Sequence, residues 1–232
     1  MRMWSLPVGV LAVVLALFAA GCKDTDGIGA LPKRVPTTAD DAAEVGRAYE
    51  KAMNKCDRGD LERVLDFRLI AEKAARIRGL SANDRAAFIR GTEQSGGASL
   101  CSQDPAPKAR FLRVLNPDTD PSPLIRILQG EGVNYQQLEL SKGKDRTTVS
   151  DIYVYATGEN LSVTFADMIG GMMNNKSAVD DLPNLRRQFQ SGDYEGASAT
   201  LAKLSPALAK TKGVMMVKVQ LAGMQGDDKY RA

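Results

Sequence analysis

Histidine is absent from all 232 residues, and this absence excludes several kinds of chemistry. Without it there is no Ser-His-Asp or Cys-His catalytic pair, no imidazole metal ligand and no histidine-based pH response. Net charge is also scarce. The 31 Lys+Arg and 28 Asp+Glu leave +3, too little for a strong nucleic-acid footprint. Neither GxxxxGK[ST] nor GxGxxG occurs, so no phosphate-cradling loop is expected. Cysteine is limited to Cys22, Cys56 and Cys101, none in a Cys-x-x-Cys pair, which argues against redox catalysis. Nothing calls for a cofactor or a metal. The remainder is an ordinary globular composition, 44% hydrophobic and 25% charged, with length for one or two domains.

Residues 1–21 read as a secretory signal. Arg2 supplies the positive start, Leu6 to Phe18 (LPVGVLAVVLALF) is uncharged, and Ala19-Ala20-Gly21 places small residues directly before Cys22. The alternative is a membrane-spanning anchor, because the uncharged run from Met3 to Cys22 has the length a spanning helix needs, about 20 residues. Pro7, Gly9 and the small-residue cluster favour cleavage. The ending Ala-Ala-Gly-Cys resembles the bacterial lipobox, with Ala19 where Leu is more usual. The resemblance implies a diacylglyceryl group on the Cys22 sulfur, cleavage before it and acylation of the new amine. Lys23 after the cysteine implies, by the sorting habit of that family, the outer rather than the inner membrane of a two-membrane envelope.

Residues 22–38 read as a lipidated tether, mixing Gly, Pro and charge without a period. The stretch from Lys23 to Thr38 spans about 50 Å when fully extended. With Cys22 modified, Cys56 and Cys101 remain, and an oxidising compartment suggests that they form one disulfide. Two unpaired buried cysteines are the alternative.

Residues 39–167 read as one α+β domain. Thr38-Ala-Asp-Asp41 is a capping box, followed by Val45, Ala48, Tyr49, Ala52, Met53 and Cys56 at amphipathic-helix spacing. Gly59 is expected to end this helix and Asp60 to cap the next. A third stretch runs from Arg68 to Arg78 and stops at Gly79. Ser81-Ala-Asn-Asp84 opens another helix through about Glu93, with Gly96-Gly97 loosening or ending it. The period then changes to two. Arg110–Leu115, Leu124–Leu128, Val133–Ser141 and Arg146–Ala156 read as four strands with short turns, hence an antiparallel sheet. In the last strand the alternation puts Val149, Asp151, Tyr153 and Tyr155 on one face, and Ser150, Ile152 and Val154 on the other.

The stretch AYEKAMNKCDRGDLERVLDF (Ala48 to Phe67) and the order of elements resemble the nuclear-transport-factor-2-like superfamily. That likeness implies N-terminal helices packed on a bent four-stranded sheet that forms a cone. It also implies that a ligand could sit in the cone, or that the fold serves only docking or dimerisation. Asp151 beside Tyr153 and Tyr155 matches the acid-and-phenol pairing of isomerases in that superfamily. A solvent-facing or dimer-facing stripe of cross-strand aromatics is the plainer alternative.

Residues 168–232 read as an all-α segment. Leu161, Phe165, Met168, Ile169, Met172 and Met173 form one helical stripe, expected to pack between the sheet and the C-terminal helices. Asn174-Asn175-Lys176 breaks the helix and Ser177-Ala-Val-Asp180 caps another. Gly192-Asp193 recurs as Gly226-Asp227, and this spacing resembles the tetratricopeptide repeat. The resemblance makes Gly192 the turn, with Tyr194 and Ala197 packing between helices and Leu201 continuing the face. Ser205-Pro206 ends that helix, and Pro206 to Gly223 is expected to form the next. The chain stops just past the second Gly-Asp turn, which leaves a second repeat short of its last helix.

Ser141-Lys-Gly-Lys144 matches a Ser-x-x-Lys nucleophile pair only in letters, since it falls in a hairpin turn rather than at a helix start. Asp118 and Asp120 lack the Gly and Glu of a calcium loop. The expectation is therefore a membrane-anchored bacterial lipoprotein that acts as a non-catalytic protein-interaction or assembly module. Its partners would be the membrane and an envelope protein, not nucleic acid, and a homodimer is left open. The alternatives are a small-ligand-binding domain using the cone, and an isomerase or hydrolase using Asp151 and a tyrosine.

Overall fold

A computed structural model of the chain describes residues 36–101, 106–130, 132–173, 184–185, 187–189 and 191–226, excluding the side chains of residues 99, 101, 171–173 and 207. The signal, Cys22, nearly all of the tether, the break at 174–176, the cap at 177–180 and Asp227 lie outside the described residues.

Helix α1 (Ala39–Lys55) opens with the expected capping box. The Thr38 hydroxyl accepts the Asp41 N–H at 3.1 Å, and the Asp41 carboxylate accepts the Thr38 N–H at 3.0 Å. The helix ends at Cys56, whose φ of 52° is left-handed. The expected stop at Gly59 is therefore wrong. Because α1 ends three residues earlier, the Asp57 carboxylate is free to accept the Asp60 N–H at 2.9 Å, and Asp57, not Asp60, caps α2 (Arg58–Val64). Helix α3 (Phe67–Arg78) is capped by Asp66 and stops at Gly79 with φ 69°, the left-handed ending glycine adopts readily.

Helix α4 (Ala82–Cys101) begins where expected, with the Ser81 hydroxyl accepting the Asp84 N–H at 3.3 Å, but the Asp84 carboxylate takes the Ser81 hydroxyl at 2.6 Å rather than the Ser81 N–H of a full capping box. It runs past the expected end near Glu93 and straight through Gly96 and Gly97. Gly96 is a packing residue rather than a stop. A Cβ there would lie 2.4 Å from the Phe67 ring, so the absent side chain is what lets α4 approach α3.

The sheet has five strands, not four: β1 (Lys108–Leu115), β2 (Ser122–Gln129), β3 (Gly132–Lys142), β4 (Thr147–Val154) and the short β5 (Glu159–Asn160), all antiparallel and in sequential order. Helix α1 crosses β1 and β2 so closely that a Cβ on Gly46 would lie 2.6 Å from the Phe111 ring. Ile125, Leu138 and Ile152 on the covered face are buried together with Tyr49, Leu61 and Ile70. The Tyr49 hydroxyl donates to Gln136 Oε1 at 2.9 Å, and burial pushes its phenol pKa up. At the outer edge of β1, the Asn54 side chain bonds both the N–H and the C=O of Ala109, each at 2.9 Å. Glu50 accepts the Phe111 N–H at 3.0 Å.

After β5 the chain enters α5 (Leu161–Met173), which runs unbroken across residues 167 and 168. Leu161, Phe165, Met168 and Ile169 are buried as one stripe, and α5 packs on α3. Helical residues at 184–185, 187–189 and 191 end at Gly192, φ 74°. Asp193 caps α6 (Tyr194–Lys203). The expected single helix from Pro206 to Gly223 is broken in two, α7 (Pro206–Ala209) and α8 (Lys212–Gln225). Thr211 breaks it by accepting the Val214 N–H at 3.4 Å and starting α8 afresh. Leu185, Ala197, Leu201 and Leu208 join the same buried cluster as the helices of the sheet domain. Lys212 of α8 pairs with Glu159 of β5 at 3.1 Å.

Candidate functional site

Strand β4 carries Asp151 and Tyr153, and Tyr155 directly follows its last residue; these are the residues expected to face a ligand. A register shift between Glu139 and Leu140 separates them from Val149. Leu140 pairs with Val149, while Glu139 pairs with Asp151 and Leu138 with Ile152. The extra residue, Ser150, reverses the alternation. Val149 therefore joins Ile152 on the buried face, not Asp151 and Tyr153 as expected.

Asp151 is 1% exposed, and its oxygens are engaged. Oδ1 accepts the N–H groups of Ile152 at 2.9 Å and Ser162 at 3.2 Å. Oδ2 accepts the Ser162 hydroxyl at 2.6 Å and the Lys73 ammonium at 3.4 Å. Lys73 also donates to Glu139 at 3.1 Å, and Asn160 donates to the same carboxylate at 2.7 Å. None of the donors to Asp151 is a tyrosine. The arrangement joins α3, β3, β4, β5 and the first turn of α5 in one satisfied polar network. It places a negative group at the N-terminus of α5, where the helix dipole favours it. Chemically, it holds elements together and leaves Asp151 no lone pair aimed at a substrate.

Tyr153 and Tyr155 have a different setting. Their rings meet edge-to-face at 5.2 Å, and Tyr155 is 48% exposed. The Tyr155 N–H continues the ladder to the Tyr135 carbonyl at 3.0 Å. Across β1 to β3, Arg110 pairs with Arg126 and Arg126 with Tyr135. These residues share the face opposite the buried one, away from the end where Lys73 of α3 and Ser162 of α5 meet Glu139 and Asp151. Sequence reading missed Arg110, Arg126, Lys73 and Glu139. The two arginines sit in different strands, and only the register makes them neighbours.

Of the residues assigned to the repeat-like helices, Ala197 and Leu201 are buried, as packing between helices requires. Tyr194 is half-buried, with its ring 6.5 Å from Phe189, and its carbonyl accepts from Gln225 at 3.1 Å. Cys56 is disulfide-bonded. The side chain of Cys101, its expected partner, and the whole of Cys22 lie outside the described residues. Among the described residues no group of three or more carboxylates or cysteines is placed to hold a metal ion, and no helix is long and apolar enough to cross a membrane. No family model, curated protein or solved structure matches the chain.

Proposed function

We propose that this chain is a membrane-anchored bacterial lipoprotein whose folded part is a non-catalytic interaction module. The observation that carries the non-catalytic half is the engagement of Asp151. The best acid-base candidate in the sequence caps a helix and pairs with Lys73, so the aromatic face beside it is left with binding as its use. The anchored half is supported by the signal pattern, the Ala-Ala-Gly-Cys ending and the disulfide at Cys56, which suits an oxidising compartment.

In this reading the helices and antiparallel sheet make a nuclear-transport-factor-2-like body. The helices after α5 make a tetratricopeptide-like appendage docked on it. Gly192 and Gly226, one repeat length apart, both adopt positive φ, which supports that likeness.

Intact mass of the membrane-extracted protein, with and without reduction and alkylation, tests the reading. A mass that starts at Cys22 and carries acyl groups supports it, and crosslinking in the envelope then identifies the partner. A chain that retains residues 1–21 and has freely alkylated cysteines sinks it.

A further inference from the structure

We infer that the sheet face carrying Arg110, Arg126, Tyr135 and Tyr155 is a landing surface for anionic phospholipid headgroups, and that the anchored domain lies with this face on its own membrane. The inference deepens the lipid-anchored reading and rests on it for the membrane's proximity.

Register sets three successive rows on this face. Lys108, Leu128 and Val133 form the first. Arg110, Arg126 and Tyr135 form the second, continued by Tyr155. Arg113, Leu124, Gln137 and Tyr153 form the third. The rows hold four cations and no carboxylate, although the chain as a whole is nearly balanced. The nearest acids on the face, Glu139 and Asp151, lie a row further on and are occupied by Lys73 and Asn160.

Like charges directly opposite one another in a sheet repel. Arg110 and Arg126 are such a pair, and among the described residues no carboxylate pairs with either. Arg126 Nε is buried without a hydrogen-bond partner, an arrangement that is unfavourable until an acceptor arrives. A phosphate answers the repulsion between the two arginines, because guanidinium groups bind phosphate through paired N–H donors. Beside the cations stand Tyr135 at 40%, Val133 at 37% and Tyr155 at 48% exposure. Tyrosine rings settle at the depth of lipid headgroups, and basic residues near an anionic leaflet are drawn to it.

A second copy of the chain fits the face less well, since a twofold contact would set four cations against four. A soluble polyanion would leave Val133 and Leu128 unused. The tether reaches about 50 Å when extended, enough for the body to turn this face towards the bilayer that holds Cys22.

The test is hydroxyl-radical footprinting of the full membrane-extracted protein in phosphatidylglycerol and phosphatidylcholine nanodiscs, with intact mass read on the same sample. Oxidation of Tyr135 and Tyr155 is expected to fall several-fold in phosphatidylglycerol alone. High salt should restore it, as should a Lys108→Glu/Arg110→Glu variant, both positions being exposed. Met215 on α8, 52% exposed, serves as the unchanged reference. Equal oxidation in the two lipids overturns the proposal. Protection already present in detergent overturns it in favour of a second copy, and protection by soluble polyphosphate alone overturns it in favour of a free polyanion. A mass without acyl groups sinks the anchored reading, while footprints on added vesicles still decide the fate of the face.

Discussion

Asp151 on β4 and Ser162 on α5 bind each other twice, through the Ser162 hydroxyl at 2.6 Å and the Ser162 N–H at 3.2 Å. A strand carboxylate thus fixes the start of the helix eleven residues further on. Replacing Asp151 with Ala should lower unfolding free energy by roughly 3 kcal/mol, the loss expected when a buried ion pair is broken and its donors are stranded. Asp151→Asn keeps an acceptor for Ser162 and should lose less. Urea unfolding measures both, and an alanine variant as stable as the parent would refute the structural role.

Acid sensitivity follows from Asp41, Glu72 and Asp167. Hydrogen bonding to Lys142 and to the Thr38 backbone lowers the Asp41 pKa from 3.8 to about 2. Burial tends to raise Glu72, but hydrogen bonds from Arg85 and Arg76 more than offset it and hold its pKa below the ordinary value. Both groups bind protons more readily unfolded than folded. Their stabilisation is present above the ordinary carboxylate pKa and is lost as pH falls through the folded value. Asp167 acts oppositely. Burial first, and then Glu159, raise its pKa, so its contribution is present at low pH and lost as pH rises through the raised value. Asp41 is close to solvent, so Asp41→Asn should remove less than about 1 kcal/mol of the stability difference between pH 5 and pH 2. Thermal unfolding at the two pH values checks this, with roughly 2–4 °C expected per kcal/mol for a chain of this size.

Gly96→Ala should destabilise the fold although alanine favours helix by about 1 kcal/mol. The added methyl group meets Phe67 at 2.4 Å, and overpacking of that kind costs about 1–3 kcal/mol. Phe67→Leu should be harmful alone but partly restore stability when combined with Gly96→Ala. Additive effects in the double variant would show that the two residues do not press on one another.

The Cys56 bridge is expected to reach Cys101. Closing the loop between these positions would stabilise the fold by about 4 kcal/mol in the chain-entropy picture. Cys56→Ser should lower the unfolding midpoint accordingly. Peptide mapping without reduction should show the two cysteine peptides joined, and recovering each separately would exclude the pairing.

The sequence disclosed most of what depends on neighbours within a few residues. The Thr38 capping box, the helix start after Ser81, the Gly79 stop and the four long strands are where local pattern places them, within two residues at each strand end. It failed where distant contacts decide. Gly96 resembles a helix stop in any window, yet Phe67, nearly thirty residues away, determines what it does. Cys56 ends α1 in a backbone conformation that no local signal assigns to cysteine. Alternation read Tyr153 and Tyr155 correctly, since they lie beyond the bulge. It misplaced Val149 because the extra residue at Ser150 is visible only against β3. Asp151 was legible as an acid next to tyrosines, but its occupation by Lys73 and Ser162 belongs to tertiary structure.

The Asn54 side chain, bonded to both backbone groups of Ala109, gives β1 the partner that a sixth strand would otherwise supply. At the opposite margin, Leu65 bridges to Val149 and β5 covers the end of β4. Templated growth of the sheet by an incoming extended chain, in fibrils or in donor-strand complexes, is therefore obstructed at both margins.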